Sequence, residues 1–187
     1  AYAGLADCYG ILRVYGWIPA KDGREPAHAA VTRAMTLAPS LWEVNFSRAM
    51  YALYFERAWR EARPYFQKAI AINPRFSLGQ AYYGIFLAAE RRRTEEAVER
   101  ATLACQMDPL SPLVHGGAAL TLYSLGHYEA AERAAHQVLE LQHDHMMGLL
   151  WGGLALSGLG RHEEAIDALE RAVKLVRCPM FLGTLGL

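Results

Sequence analysis

The sequence predicts an all-α fold, a right-handed α-solenoid of stacked helical hairpins, and three observations carry the prediction. Alanines at 27, 62, 97, 131 and 165 recur every 34 or 35 residues. Two further families keep the same step, Ala34, Ala69, Ala104, Val138 and Ala172, and Leu37, Ile72, Met107, Leu141 and Leu175. Prolines at 39, 74 and 109 punctuate it. A fixed step of this length, with small and apolar residues at set offsets, belongs to units that bury their apolar faces only against their neighbours.

Each unit divides into two helices. In the second helix Ala62, Phe66 and Ala69 fall four and three apart, as do Ala165, Leu169 and Ala172, and so share one face. Proline then stops that helix, because its ring and missing N–H cannot continue it. His143 and Arg177 take the proline place in the last two units, which predicts looser turns there. The start signals are Ser40-Leu41-Trp42-Glu43 as a capping box, Ser111-Pro112 as a cap with proline in the first turn, and Thr94-Glu95-Glu96 with acids at the positive helix end.

The first helix carries small residues at Ala6, Ala49, Gly84, Ala119 and Gly153, which let the two helices of a hairpin approach closely. Larger neighbours such as Leu5, Tyr9, Tyr83 and Leu87 fill the remaining gap. Arg48 and Gly152 depart from the large apolar residue expected beside the small one. The first unit is longer than the rest, with an insertion near 13–25 containing Tyr15-Gly16-Trp17-Ile18-Pro19. That segment is too apolar for a solvated loop, so it is expected to fold back and bury Trp17 and Ile18.

The repeat runs from end to end, so residues 1–187 are expected to form a single domain. Its units are about 1–39, 40–74, 75–109, 110–143 and 144–178, with the start of a sixth at 179–187, for about eleven helices in all. The chain opens inside an apolar-periodic helix and closes on Met180-Phe181-Leu182, which predicts a fragment of a longer protein.

Tyr2-Ala3-Gly4-Leu5-Ala6-Asp7-Cys8-Tyr9, then Ala62, Phe66 and Pro74, then Gly126-His127-Tyr128-Glu129-Ala130-Ala131 and Gly160-Arg161-His162-Glu163-Glu164-Ala165 follow the tetratricopeptide pattern. The chain resembles five tetratricopeptide repeats plus the start of a sixth. Ala1 to Tyr9, Tyr15-Gly16, Pro39-Ser40-Leu41 and Asp108-Pro109-Leu110-Ser111-Pro112 are also similar to the repeat tails of bacterial multidomain signalling proteins. In those proteins the tail follows a winged-helix regulator, a serine/threonine kinase or a nucleotide cyclase.

Nineteen basic residues balance nineteen acidic ones, so the field that draws proteins to nucleic acid is missing. Charge, Gly and Pro break the apolar stretches well before the roughly 18 residues a membrane span needs. A cytoplasmic location is expected, with an extracytoplasmic one left open. Cys8, Cys105 and Cys178 are isolated and fit reduced, mostly buried thiols. His143-Asp144-His145, with His136 before it, has ligand-type residues but no metal-site spacing, and solvated turn histidines are the expectation. Asn45-Phe46-Ser47 fits a glycosylation sequon only by chance, inside a helix. No catalytic constellation, cofactor motif or metal site is expected. Bases at the hairpin turns, with Arg91-Arg92-Arg93 the densest, form an edge that the acids after each turn neutralise.

Function is therefore expected on the wall made by the first helices, where such repeats receive extended or helical peptides. Spacing assigns to that wall Phe46, Met50, Tyr82, Ile85, Leu120, Tyr123, Trp151 and Leu154, with Ser47, Gly117 and Leu150 beside them. It is aromatic and aliphatic, and lacks the Lys, Arg and Asn of a clamp for a terminal carboxylate. The expected partner is a protein or peptide with an apolar segment, a second copy of the chain included. The alternative is a regulatory repeat domain of an enzyme whose catalytic part lies outside this fragment.

Overall fold

The computed structural model describes residues 1–91 and 93–176, and over these the chain is ten α-helices with no strand. They are α1 (Tyr2–Val14), α2 (Ala20–Leu37), α3 (Trp42–Tyr51), α4 (Trp59–Ile72), α5 (Ser77–Glu90), α6 (Thr94–Met107), α7 (Pro112–Ser124), α8 (Tyr128–Leu141), α9 (Met146–Gly158) and α10 (His162–Leu175). Odd and even helices pair as the first and second members of five hairpins. Arg177 and the sixth unit lie outside the described residues. The chain forms two compact units, Ala1–Gly79 and Gln80–Leu187.

The alanine families explain the pairing. Ala27, Ala62, Ala97, Ala131 and Ala165 are buried in every second helix, and so are Ala34, Ala69, Ala104, Val138 and Ala172 one to two turns on. Each second helix ends alike, with the next residue donating its N–H four residues back, as in Asn73 to Ala69, Asp108 to Ala104 and Gln142 to Val138. A second bond closes the turn: Phe76 N–H to Asn73 O at 3.1 Å, and His145 N–H to Gln142 O at 3.1 Å. His143 therefore does not loosen its turn, because the backbone bond closes it without proline.

Inside each hairpin the connection passes through one residue with positive φ: Gly16, Arg57, Arg91, Gly126 and Gly160. Glycine enters that region without steric cost, and the two arginines do not.

In the first unit, Ala6, Ala27, Ala30, Val31, Tyr51 and Phe55 form a core with Tyr9 and Tyr54 against it. α3 continues into a single π-helical stretch, Ala52–Glu56, before Arg57 turns the chain. The insertion is mostly helix: α2 reaches back to Ala20 and spans 18 residues, where α4, α6, α8 and α10 span 14. Only half of the expected burial occurs. Ile18 packs onto Gly23, where a Cβ would meet its Cδ1 at 2.6 Å, but Trp17 stays 49% exposed with its ring 5.3 Å from Tyr15. The Trp17 N–H is tied to Leu12 O at 2.9 Å, which leaves its ring outside the core.

In the second unit close approach depends on glycine. A Cβ on Gly84 would stand 3.2 Å from Ala97 O, and one on Gly153 would stand 2.8 Å from Leu169 Cγ. Two other expectations change and one holds. Leu37, Ile72, Leu141 and Leu175 are exposed, because each is the last residue of its helix, where the chain turns away from the packed face. Leu41, not Ser40, holds the N-cap of α3, and no side chain caps it. Ser111 does cap α7, accepting from the Val114 N–H at 3.4 Å.

Candidate partner-binding surfaces

Phe46 and Met50 leave the expected site. They are 8% and 5% exposed, and Phe46 stacks edge-on to Phe66 at 6.0 Å and Phe76 at 5.1 Å. The rings of Phe66 and Phe76 cover Phe46 and make it part of the core. Ser47 is buried too, and donates its Oγ–H to Asp7 Oδ2 at 2.8 Å, joining α3 to α1.

The remaining six residues belong to the second unit and are half-buried. Tyr82 and Ile85 lie on α5, Leu120 and Tyr123 on α7, Trp151 and Leu154 on α9. These helices sit side by side. A Cβ on Gly117 would stand 3.1 Å from Ala81 Cβ and 3.7 Å from Ile85 Cδ1, and one on Gly116 would stand 3.2 Å from Met147. The Tyr123 ring is 6.0 Å from Trp151 and 5.8 Å from Tyr128, so α7 and α9 share an aromatic ridge. The Trp151 Nε1–H is buried and has no acceptor.

Two recesses, not expected as sites, open where the sequence departs from its own pattern. In the first unit a recess of about 340 Å³ is lined by His28, Val31, Thr32 and Met35 of α2 and by Arg48 and Tyr65 of the next hairpin. In the second unit a recess of about 560 Å³ is lined by Glu132, Ala135, His136 and Leu139 of α8, by Gly152 of α9 and by Glu164 and Ala168 of α10. The two linings hold the same repeat positions, and Arg48 and Gly152 were their only signal in the sequence.

The other candidates resolve into local roles. His145 accepts from the Met147 N–H through Nδ1 at 3.3 Å, and burial lowers its pKa, so it caps α9 as a neutral ring. Asp144 pairs with Arg171 at 3.5 Å. Among the described residues no three metal-ligating side chains converge. Cys8 is exposed, against expectation, because it faces away from Ala6 and Gly10 on α1, whereas burial pushes the Cys105 thiol up to about 11. Burial also raises Asp7 to about 6, against the opposing pull of its Ser47 hydrogen bond. Arg93 is tied to Glu96 at 2.6 Å, which neutralises part of the basic edge. Among the described residues no helix is long and apolar enough to cross a membrane.

Helical hairpins repeated at a 34-residue step, with half-buried rings along neighbouring first helices, define a helical-repeat scaffold of the protein-interaction class. Residues 117–178 match the tetratricopeptide repeat family. The fold agrees with solved structures at low identity. A thermophilic tetratricopeptide protein of Thermus thermophilus is similar at a TM-score of 0.74 and 19% identity, over 94% of this chain and 97% of that one. PilF of Pseudomonas aeruginosa is similar at 0.65 and 22%, over 92% and 77%. YrrB, described as a tetratricopeptide protein with an unusual peptide-binding site, is similar at 0.60 and 17%, over 100% and 91%. Comparison with curated protein sequences finds no match.

Proposed function

We propose that this chain is a non-enzymatic interaction or sensor module that receives an apolar peptide or helix on the wall formed by α5, α7 and α9. In this reading it works in the cytoplasm as part of a larger signalling protein. One observation carries it: Tyr82, Ile85, Leu120, Tyr123, Trp151 and Leu154 hold large apolar side chains half-buried on three neighbouring helices. Rigid rings at the centre of such a surface are the usual anchors of a partner, and the aliphatic residues around them exclude water. The peptide-binding site named for YrrB lends support by fold likeness.

The wall supplies no Lys or Arg among these six positions, so the favoured partner docks through apolar side chains and not through a terminal carboxylate. Fluorescence anisotropy against a panel of amphipathic and apolar peptides tests the reading. Tyr82→Ala or Trp151→Ala should weaken the best binder by about 2 kcal/mol, roughly thirtyfold. A binder that tolerates both changes in folded protein, and is lost when Arg91 and Arg93 are neutralised, would move the site to the basic edge.

A further inference from the structure

One repeat position combines a cation, a ring and a carboxylate in two successive hairpins. In the first unit the Arg48 guanidinium lies 5.3 Å from the Tyr65 ring and 5.7 Å from Tyr51, 2.8 Å from Glu56 and 3.8 Å from Glu61. One repeat on, the cation and ring exchange places. Tyr83 stands where Arg48 did and Arg100 where Tyr65 did, 5.6 Å apart, and Arg100 reaches Glu96, the counterpart of Glu61, at 3.5 Å. In the last hairpin the same places hold Gly152, Ala168 and Glu164. The carboxylate persists, the cation and the ring are gone, and about 560 Å³ stands open.

We propose that the recess at Gly152 binds an arginine side chain of a partner polypeptide, carried on an apolar segment. Elsewhere in the chain a guanidinium already occupies this place, so the geometry accepts one. The floor of Ala135, Leu149, Leu156 and Ala168 suits the methylene stem of such a side chain. At the rim Glu132, Glu163, Glu164 and Asp167 outnumber Arg161 and Arg171, giving a negative mouth in a chain whose total charge balances. The ion pairs already there, Arg161 with Glu164 and Arg171 with Asp167, are at the surface and exchange readily. Arginine fits better than lysine because its planar, weakly hydrated fork engages two carboxylate oxygens at once. α9 contributes to both surfaces, but none of the six wall residues lines this recess, and neither reading depends on the other.

The test uses the peptide acetyl-Leu-Leu-Arg-Leu-Leu-amide and its neutral counterpart with citrulline for arginine, followed by amide NMR and calorimetry at low salt. The arginine peptide should bind about tenfold tighter or more, and should shift the amides of Gly152 and Ala168. Gly152→Arg lets the chain fill its own recess as Arg48 does, and should abolish binding in folded protein. A Cβ at Gly152 would stand 3.2 Å from Ala135 Cβ, so a second variant, Glu132→Gln with Glu164→Gln, decides the case if the first does not fold. That double change should weaken the arginine peptide about tenfold and leave the citrulline peptide unchanged. The proposal is overturned by no binding up to about 1 mM. Equal binding of the two peptides, shifts at Tyr82 and Leu120 in place of Gly152, or full affinity in either folded variant would overturn it equally.

Discussion

The recess at Arg48 and the recess at Gly152 occupy the same repeat position, yet Arg48 and Tyr65 narrow the first to about 340 Å³ while the second keeps about 560 Å³. Both are flanked by the same buried alanines, Ala27 and Ala62 on one side and Ala131 and Ala165 on the other. Close packing of small residues therefore holds the hairpins whether or not a large side chain fills the gap beside them. The difference teaches that this position is not fixed by the fold. It varies from apolar ring to cation to nothing, and so is available for recognition.

The strongest way to break the comparison is to remove Arg48 from the narrower recess. Arg48→Ala removes a largely buried guanidinium and leaves Glu56 without its partner. Loss of one member of such a pair, with the ring contacts, should lower the stability of the first unit by about 3 kcal/mol. Urea unfolding followed by tyrosine fluorescence measures it. A neutral outcome would mean that the first recess is as indifferent to its filler as the second, and the contrast would disappear.

A second difference between the units is electrostatic. Asp7 is a buried carboxyl raised to about 6 from 3.8, so in the fold it holds its proton where the unfolded chain has released it. Its contribution to stability is present at acid pH and is lost as the pH rises through about 6. Between pH 4 and 7 the loss should reach about 2 kcal/mol after allowing for partial solvent access. Asp7→Asn should flatten that slope. If the wild type and Asp7→Asn titrate in parallel, the carboxyl is not a source of pH dependence in the first unit.

A third test concerns a place that the two units fill differently. Asn45, Gln80 and His115 share one repeat position and are all buried, and Leu149 stands there in the last repeat. Asn45 Nδ2 donates to Pro39 O at 2.9 Å and Leu41 O at 2.7 Å, and the His115 Nε2 ring nitrogen lies 3.0 Å from Pro109 O. These side chains clasp the turn from the preceding repeat. Asn45→Leu should cost about 1 kcal/mol, because the Pro39 and Leu41 carbonyls each lose one donor and keep only Lys68 Nζ and the Asn45 backbone N–H. Thermal unfolding comparing Asn45→Leu with Leu149→Asn measures the asymmetry. Equal costs would show that the clasp is not what the position selects.

The repeat, its helices and their proline stops were legible because each rests on local spacing that recurs. The buried alanine families read correctly for the same reason. What failed depends on contacts that spacing does not carry. Phe46 and Met50 had the spacing of the wall but are buried, Phe46 against the ring of Phe76. Trp17 had the apolarity of a buried residue, and a backbone bond to Leu12 held it at the surface. The recess at Gly152 was visible only as a missing large residue, which reads as weaker packing until the opposing helix is in place. The clasp by Asn45 and His115 left a faint trace, a polar residue where the family pattern places tryptophan.

The smallest expected effect lies in the hairpin turns. The turns at Gly126 and Gly160 in the second unit take positive φ without strain, whereas Arg57, in the corresponding place of the first unit, adopts φ 53°. A side chain with a Cβ is disfavoured there by its clash with the following carbonyl. Arg57→Gly relieves that cost and loses part of the gain to unfolded-state entropy, so the net gain should be about 0.5 to 1 kcal/mol. Arg57 is exposed, so its removal takes no packing away. The urea midpoint of the first unit should rise, and Gly126→Arg in the second should lower it by a similar amount. A loss on Arg57→Gly would show that the π-helical stretch before the turn, and not the residue at positive φ, sets the conformation of this connection.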